Sequence, residues 1–315
     1  MKLQYCQIEG GNFGDDLNRL LWPSLFPDLA QQAVGTVFYG IGTLLDGHHA
    51  KRLKKVVLGT GIGEARAARR DTNWDFRWVR GPHSAREFGI PERFGLGDSA
   101  ILWPELQRRK TQVCAEGPIG LIPHYATWDS FDWNQVAAQA GMVAINPRLA
   151  PQVVVARMRG CSRIMAESLH GAICADAMGI PWAASVLAHR FNAFKWLDWL
   201  ATINRPFAPF VTDRALVSCI TPTKALANRL ARSVSYLKHT RHPALRPVAP
   251  ASDEDASLVA RALYRFSREE SHFKCSDATA LNQQQERMLT RCDKFARDYG
   301  LRFEPEPPSL TLPEL

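Results

Sequence analysis

The chain has 315 residues, long enough for one large domain or two medium ones. Its 39 lysines and arginines against 31 acidic residues give a formal charge of +8, which suits an anionic partner. No helix-turn-helix, finger or RNA-recognition signature accompanies that charge, so a nucleic acid is not the expected partner. No apolar run approaches the ~20 residues of a membrane span, and the opening MKLQYCQIEGG has no signal-peptide core. The seven cysteines are scattered, odd in number and without a CxxC pair. Free thiols in a reducing cytoplasm, and no zinc or other metal site, are expected.

Leu3 to Ile8 is predicted as a first strand, followed by the glycine-rich loop Gly10–Gly14. Asp15 or Asp16 can cap the next helix, which is predicted to end before Pro23. Short strands at Thr36–Tyr39, Lys55–Leu58 and Phe76–Val79 then run into Gly40-Ile41-Gly42, Gly59-Thr60-Gly61-Ile62-Gly63 and Arg80-Gly81-Pro82. Glycines at strand ends keep a ligand cleft open at the carboxyl edge of an α/β sheet. The GxGxG spacing is not the GxGxxG of a dinucleotide fingerprint, and there is no GxxxxGK[ST] phosphate loop. The polar stretch Pro104–Pro118 reads as a linker. Beyond it a second strand–helix series begins at Gly120–Pro123, with His124 just past the strand, and continues with a strand at Met142–Ile145 and a helix at Pro151–Met158.

Ser162–Val186 carries the strongest local pattern. An apolar strand, Ile164–Ala166, leads into Glu167-Ser168-Leu169-His170-Gly171; a small-residue helix runs to Met178, Gly179 stops it, and Trp182–Val186 is the next strand. This is a βαβ unit. Ser168 and His170 fall in the crevice at the end of its first strand, where a helix N-terminus offers free N–H groups to an anion. Read from spacing alone, Ser168 can equally be an N-cap and His170 a structural histidine.

After Leu216 the character changes. Lys224–Leu237 is predicted as a basic amphipathic helix, His242–Pro250 as a proline-containing linker, Asp253–Phe266 and Ala278–Tyr299 as long helices, and Phe303–Leu315 as a loose tail.

Ser168-Leu169-His170-Gly171-Ala172-Ile173, followed by Ala175-Asp176-Ala177-Met178-Gly179-Ile180-Pro181, resembles the core motif of the polysaccharide pyruvyl transferase family. Gly11-Asn12-Phe13-Gly14-Asp15-Asp16, Gly59–Gly63, Val79-Arg80-Gly81-Pro82-His83-Ser84-Ala85, Gly97-Asp98 and Lys195–Trp199 agree with it, in the family's order, over about residues 1 to 200. Within the family the chain is similar to bacterial exopolysaccharide ketal transferases of the succinoglycan and xanthan kind. The resemblance implies an α/β fold of two Rossmann-like lobes around a cleft, like a GT-B-type glycosyltransferase. Residues 1–110 would form the acceptor lobe, residues 118–215 the phosphoenolpyruvate lobe, and residues 216–315 a helical C-terminal extension. It implies transfer of pyruvate from phosphoenolpyruvate, without a further cofactor, to a terminal hexose as a 4,6-ketal. The acceptor would be a lipid-linked oligosaccharide or polysaccharide, met in the cytoplasm with peripheral contact at the inner membrane face. The basic Lys224–Arg246 region could touch anionic lipid there. A nucleotide-sugar glycosyltransferase and a non-enzymatic carbohydrate-binding protein are the alternatives.

Phosphoenolpyruvate carries a phosphate and a carboxylate, so its site needs cations and helix N-termini together, plus a general acid and a general base. On this reading His170 is the general acid or a phosphate contact, since histidine titrates near working pH. Ser168, Leu169, Gly171, Arg190, Lys195 and His124 bind the donor. Asp15 takes the proton of the acceptor hydroxyl, or only caps its helix; Asn12, Asp16 and Arg80 hold the acceptor, with an ion pair inside the first lobe as the alternative for Arg80. The family motif often has a basic residue two places before the histidine, where Ser168 stands, so that contact falls to Arg163, Arg190 or Lys195. Trp196 and Trp199 are either sugar platforms or core.

Overall fold

The computed structural model describes residues 1–32, 34–46, 49, 52–63, 72–103, 114–129, 131–188, 191–216 and 253–305. Arg190, most of the predicted linker at 104–118, the basic helix at 224–237, the linker at 242–250 and the end of the tail lie outside these residues.

In chain order the elements are β1 (Lys2–Gln4), α1 (Phe13–Asp16), α2 (Asn18–Leu25), β2 (Thr36–Tyr39), β3 (Lys54–Leu58), β4 (Trp74–Trp78) and α3 (Pro82–Glu87), then a 3-10 turn at Ser99–Leu102. They continue with β5 (Ile119–Ile122), α4 (Tyr125–Trp128), α5 (Trp133–Gln139), β6 (Met142–Ala144), α6 (Pro151–Arg159), β7 (Arg163–Ala166), α7 (Leu169–Met178), β8 (Trp182–Ala188), α8 (Ala193–Leu200), β9 (Phe210–Leu216), α9 (Asp253–Ser267) and α10 (Ala278–Tyr299). The strands form two sheets, ordered β1-β2-β3-β4 and β6-β5-β7-β8-β9, with parallel pairing throughout. The fold is α/β. Both faces of such sheets are covered, which explains why β2 and β8 are buried along their whole length and mostly apolar.

The second sheet holds the topological information. The chain leaves β5 for β6 on one side, then returns to lay β7, β8 and β9 on the other. The reversal between β5 and β7 opens a crevice past their carboxyl ends, the place where open α/β sheets bind ligands. His124 follows β5 and Ser168 follows β7. The first sheet runs β1 to β4 in one direction and has no such reversal.

Two predicted elements differ. β1 ends at Gln4, not Ile8, and the chain from Tyr5 leaves the sheet to form the loop closed by Gly11 N–H donating to Ile8 O (2.9 Å). α2 runs through Pro23 to Leu25. Pro23 and Arg19 are exposed, so the carbonyl that loses its donor faces water. The helix is held instead by Asn18, whose side chain bonds Ile41 N, Ile41 O and Trp22 Nε1 at 2.8–3.0 Å.

The helices predicted near the C-terminus fall within the two cores. α9 buries Val259 and Leu263 with Trp133, Val136 and Leu121 of the second sheet's outer layer. α10 buries Met288, Cys292 and Phe295, and Phe295 packs its ring on Phe26 and Phe38 of the first sheet's core.

The two sheets are tied directly. Phe13 N–H donates to Pro147 O (2.9 Å). Asp198, on α8, is fully buried and pairs with Arg80 at 3.1 Å. It also accepts from Ser84 N at 2.9 Å and Ser84 Oγ at 2.5 Å, at the start of α3. Removing one partner of such a pair strands a buried charge. Asp198→Ala should lower unfolding free energy by about 3–5 kcal/mol, read as a fall in the urea midpoint at unchanged m-value.

Candidate active site

Residues that follow strands of both sheets meet around one cavity of about 320 Å³. The first sheet contributes Asn12 and Asp15 from beyond β1, Gly42 and Thr43 from beyond β2, and Arg80 from beyond β4. The second contributes His124 and Tyr125 past β5, Glu167 to His170 past β7, and Asn192 and Lys195 past β8.

The N-terminus of α7 opens into this cavity. Ser168 is its N-cap: Oγ accepts from Gly171 N at 3.4 Å, and Ser168 O accepts from Ala172 N at 3.2 Å. The Leu169 and His170 N–H groups carry no hydrogen bond to the described residues. Glu167, buried just before the cap, fixes the frame. Its Oε1 accepts from Leu187 N (3.1 Å) and Ala188 N (2.9 Å), and its Oε2 from His124 N (2.9 Å). One carboxylate thus locks the ends of β5, β7 and β8 together. Burial raises its pKa, opposed by these hydrogen bonds.

The His170 ring lies against Gly14 of the glycine loop, so closely that a Cβ there would overlap it. His170 Nε2 sits 3.6 Å from Asp98 Oδ2; both atoms are buried and neither has another partner among the described residues. A shift of a few tenths of an ångström would make a charge-assisted hydrogen bond. Asp98 Oδ1 is occupied by Ala100 N (2.9 Å).

Lys195 sits in the first turn of α8, whose cap Asn192 accepts from Lys195 N at 3.2 Å. Its ammonium has neither carboxylate nor hydrogen-bond partner among the described residues, and it lines the cavity. Burial and the Arg80 charge push its pKa down, while Asp15 and Asp46 pull it up. His124 has the opposite character. Burial, then the charges of Lys195, His170 and Arg148, lower its pKa to about 3. It is neutral, and since Nδ1 accepts from Ala126 N (3.3 Å) the proton is on Nε2, a donor without charge.

Asp15 is buried at the opposite wall and accepts from Asn12 Nδ2 at 2.6 Å. Burial raises its pKa against the pull of His170, Lys195 and the Asn12 bond, and Asp98 raises it further.

The structure therefore brings together His170, Asp15, Ser168, Leu169, Lys195, His124, Asn12 and Arg80. Three site expectations change. Arg80 has its N–H groups committed to Asp198, Ile62 O (2.6 Å), Gly42 O (3.4 Å) and Thr43 Oγ1 (3.3 Å), so it is a brace with its partner on α8 and not a free ligand. Asp16 is outside the cavity lining and accepts from Asn12 N (3.3 Å), which makes it a loop-closing residue. Gly171 packs on Ile122 and Ala166 and spends its N–H on the cap, so the helix start is presented by Leu169 and His170 alone. Arg163 stands at the far end of β7, paired with Glu270 (3.6 Å), which leaves Lys195 as the replacement cation among the described residues. Trp196 and Trp199 are 1% exposed and packed in the core, and Trp196 also lines the cavity. Sequence reasoning assigns no role to Asp98 or Glu167, although an acid directly after a strand and before a helix cap is a signal for the kind of brace Glu167 makes. No group of three metal-ligating side chains is present among the described residues, and the six described cysteines are free.

These residues define an α/β protein with a cavity lined from two parallel sheets. The model of the polysaccharide pyruvyl transferase family matches residues 2–185, and the chain belongs to that family. It is 34% identical over 215 residues to the succinoglycan biosynthesis protein ExoV of Rhizobium meliloti (strain 1021), covering 66% of this chain and 67% of the relative.

The His124 assignment can be checked by titration. The His124 ring signals should stay those of a neutral imidazole from pH 8 down to the range near its pKa of about 3. Because the unfolded chain protonates this histidine near 6.5 and the folded chain does not, stability should fall as pH drops from 6.5 towards 3. The slope is up to about 1.4 kcal/mol per unit from this group, and His124→Asn should flatten that part of the stability–pH curve.

Proposed function

We propose that the protein transfers pyruvate from phosphoenolpyruvate to a terminal hexose of an exopolysaccharide repeat unit, forming a 4,6-ketal. The observation that carries this reading is the convergence of an unpaired lysine, a free helix N-terminus and a histidine–aspartate pair on one cavity. A small dianion or trianion needs the first two, and proton transfer to carbon needs the third. The relative's role in succinoglycan biosynthesis supports a polysaccharide acceptor.

In the reaction, the donor's phosphate and carboxylate lie on the Leu169 and His170 N–H groups, Lys195 Nζ and the neutral His124 Nε2–H. His170, backed by Asp98, delivers a proton to the methylene carbon of the enol, giving a methyl group and an oxocarbenium-like C2. A hexose hydroxyl attacks C2 and gives its proton to Asp15, whose raised pKa makes it a better base than an exposed carboxylate. Phosphate then leaves C2 with a proton, the neighbouring hydroxyl adds and loses its own proton, and the ketal ring closes. The sum is phosphoenolpyruvate plus a diol giving ketal plus phosphate. Asn12 orients Asp15 and reaches the acceptor.

The same reading assigns residues 1–110 and 118–215 to two lobes of a GT-B-like architecture. It places the enzyme in the cytoplasm, with a lipid-linked acceptor at the inner membrane face. Among the described residues no helix is long and apolar enough to cross a membrane.

Thermal unfolding with phosphoenolpyruvate tests the donor. At 100 times its dissociation constant the ligand should add about 2.7 kcal/mol. Lys195→Met should weaken binding by 10- to 150-fold, the worth of a charged hydrogen bond. His170→Ala should lower kcat by about 10²–10⁴. Stabilisation by a nucleotide diphosphate sugar, and none by phosphoenolpyruvate, would favour a glycosyltransferase.

A further inference from the structure

The Asp98 carboxylate is delivered to His170 by the segment Gly97–Leu102, which lies between α7 and α10. Three side-chain bonds pin this segment. Asp98 Oδ1 caps Ala100 N (2.9 Å), Ser99 Oγ donates to Leu58 O (2.7 Å), and Gln285 Nε2, from α10, donates to Ile101 O (3.0 Å). The first two are local or come from β3. The third comes from a helix 184 residues away in sequence.

α10 also sets the room available at Gly97. That residue has φ +126°, a conformation side chains strain to adopt, and a Cβ on it would fall 2.5 Å from Gln284 Nε2 and 2.8 Å from Met288 Cε. Gln284 and Gln285 are both buried on α10, among Leu281, Met288 and Cys292. Burying two amides on the apolar face of a helix costs free energy unless they are bonded, and the Gln285 amide is aimed at the backbone that carries Asp98. The gap between His170 Nε2 and Asp98 Oδ2, 3.6 Å, is short enough for a few tenths of an ångström to decide whether a hydrogen bond forms.

We infer that α10 is part of the catalytic apparatus: through Gln285, a positioning residue, it holds Asp98 at working distance from His170. The turnover consequence rests on the pyruvyl-transfer reading above; the positioning itself does not.

The test uses the full chain and Gln285→Met, which keeps the length of the side chain and removes the donor, with Gln285→Asn as the milder alternative if the first does not fold. Two readouts are compared with Asp98→Asn and with Phe295→Leu, a packing change elsewhere on α10. In proton–carbon spectra, the His170 ring signals should move in the same direction in Gln285→Met and Asp98→Asn, with His124 unmoved, and should stay in place in Phe295→Leu. In turnover, kcat should fall about tenfold at unchanged KM for phosphoenolpyruvate. That loss should vanish when Gln285→Met is made on top of Asp98→Asn, since both act through one pair. Wild-type His170 signals in both Gln285 variants, or an equal loss of kcat in both backgrounds, would overturn the inference. A wild-type protein that binds no phosphoenolpyruvate and turns none over would sink the reading of function, and the His170 signals would still decide the positioning.

Discussion

The buried Arg80–Asp198 pair is the constraint on which the site depends. Arg80 follows β4 of the first sheet, Asp198 sits on α8 after β8 of the second, and both are almost wholly withdrawn from water. Such a pair contributes little net stability over a packed apolar contact, but it fixes one geometry, because any other leaves two charges unsatisfied. The fixed geometry sets the orientation of α8. Lys195 is three residues before Asp198 on that helix, so the bond that ties the sheets together also aims the unpaired ammonium at the cavity.

The rest of the cavity follows the same logic of committed and uncommitted groups. Glu167, Arg80 and Asn18 are buried and saturated with partners; they define where loops go. Lys195, the first two N–H groups of α7 and the facing atoms of His170 and Asp98 are left without partners among the described residues; Lys195, Leu169 and His170 line one cavity, with Asp98 behind His170. His124 completes the division. A second cation there would repel Lys195, and burial keeps it a neutral donor instead.

Much of this was legible in the sequence. Short apolar strands ending in glycines gave α/β, because glycine at a strand end has few other uses; the strand before Glu167, the Ser168 cap and the Gly179 stop placed α7 to within a residue or two. The long helix expected at Ala278–Tyr299 has those bounds. What escaped was of two kinds. Arg80, Asp16 and Gly171 carry the right chemistry in the right motifs, but their partners are Asp198, the Asn12 backbone and the Ser168 hydroxyl. Only three-dimensional structure tells a spent hydrogen-bonding group from a free one. Asp98 and Gln285 act across long sequence separations, and no local pattern marks a glutamine on a helix as bonded to a distant turn. Pro23 inside α2 is the reverse case, a local rule overridden by the Asn18 bonds to Ile41.

The central claim is that this cavity protonates the methylene carbon of phosphoenolpyruvate and passes the pyruvyl group to sugar hydroxyls. The most direct measurement is the reaction with phosphoenolpyruvate and a lipid-linked exopolysaccharide oligosaccharide in deuterium oxide, followed by proton and phosphorus spectra. The account predicts a ketal methyl carrying one deuterium, formed in equal amount with inorganic phosphate. Phosphate release without a ketal methyl, or a fully protonated methyl, would contradict it.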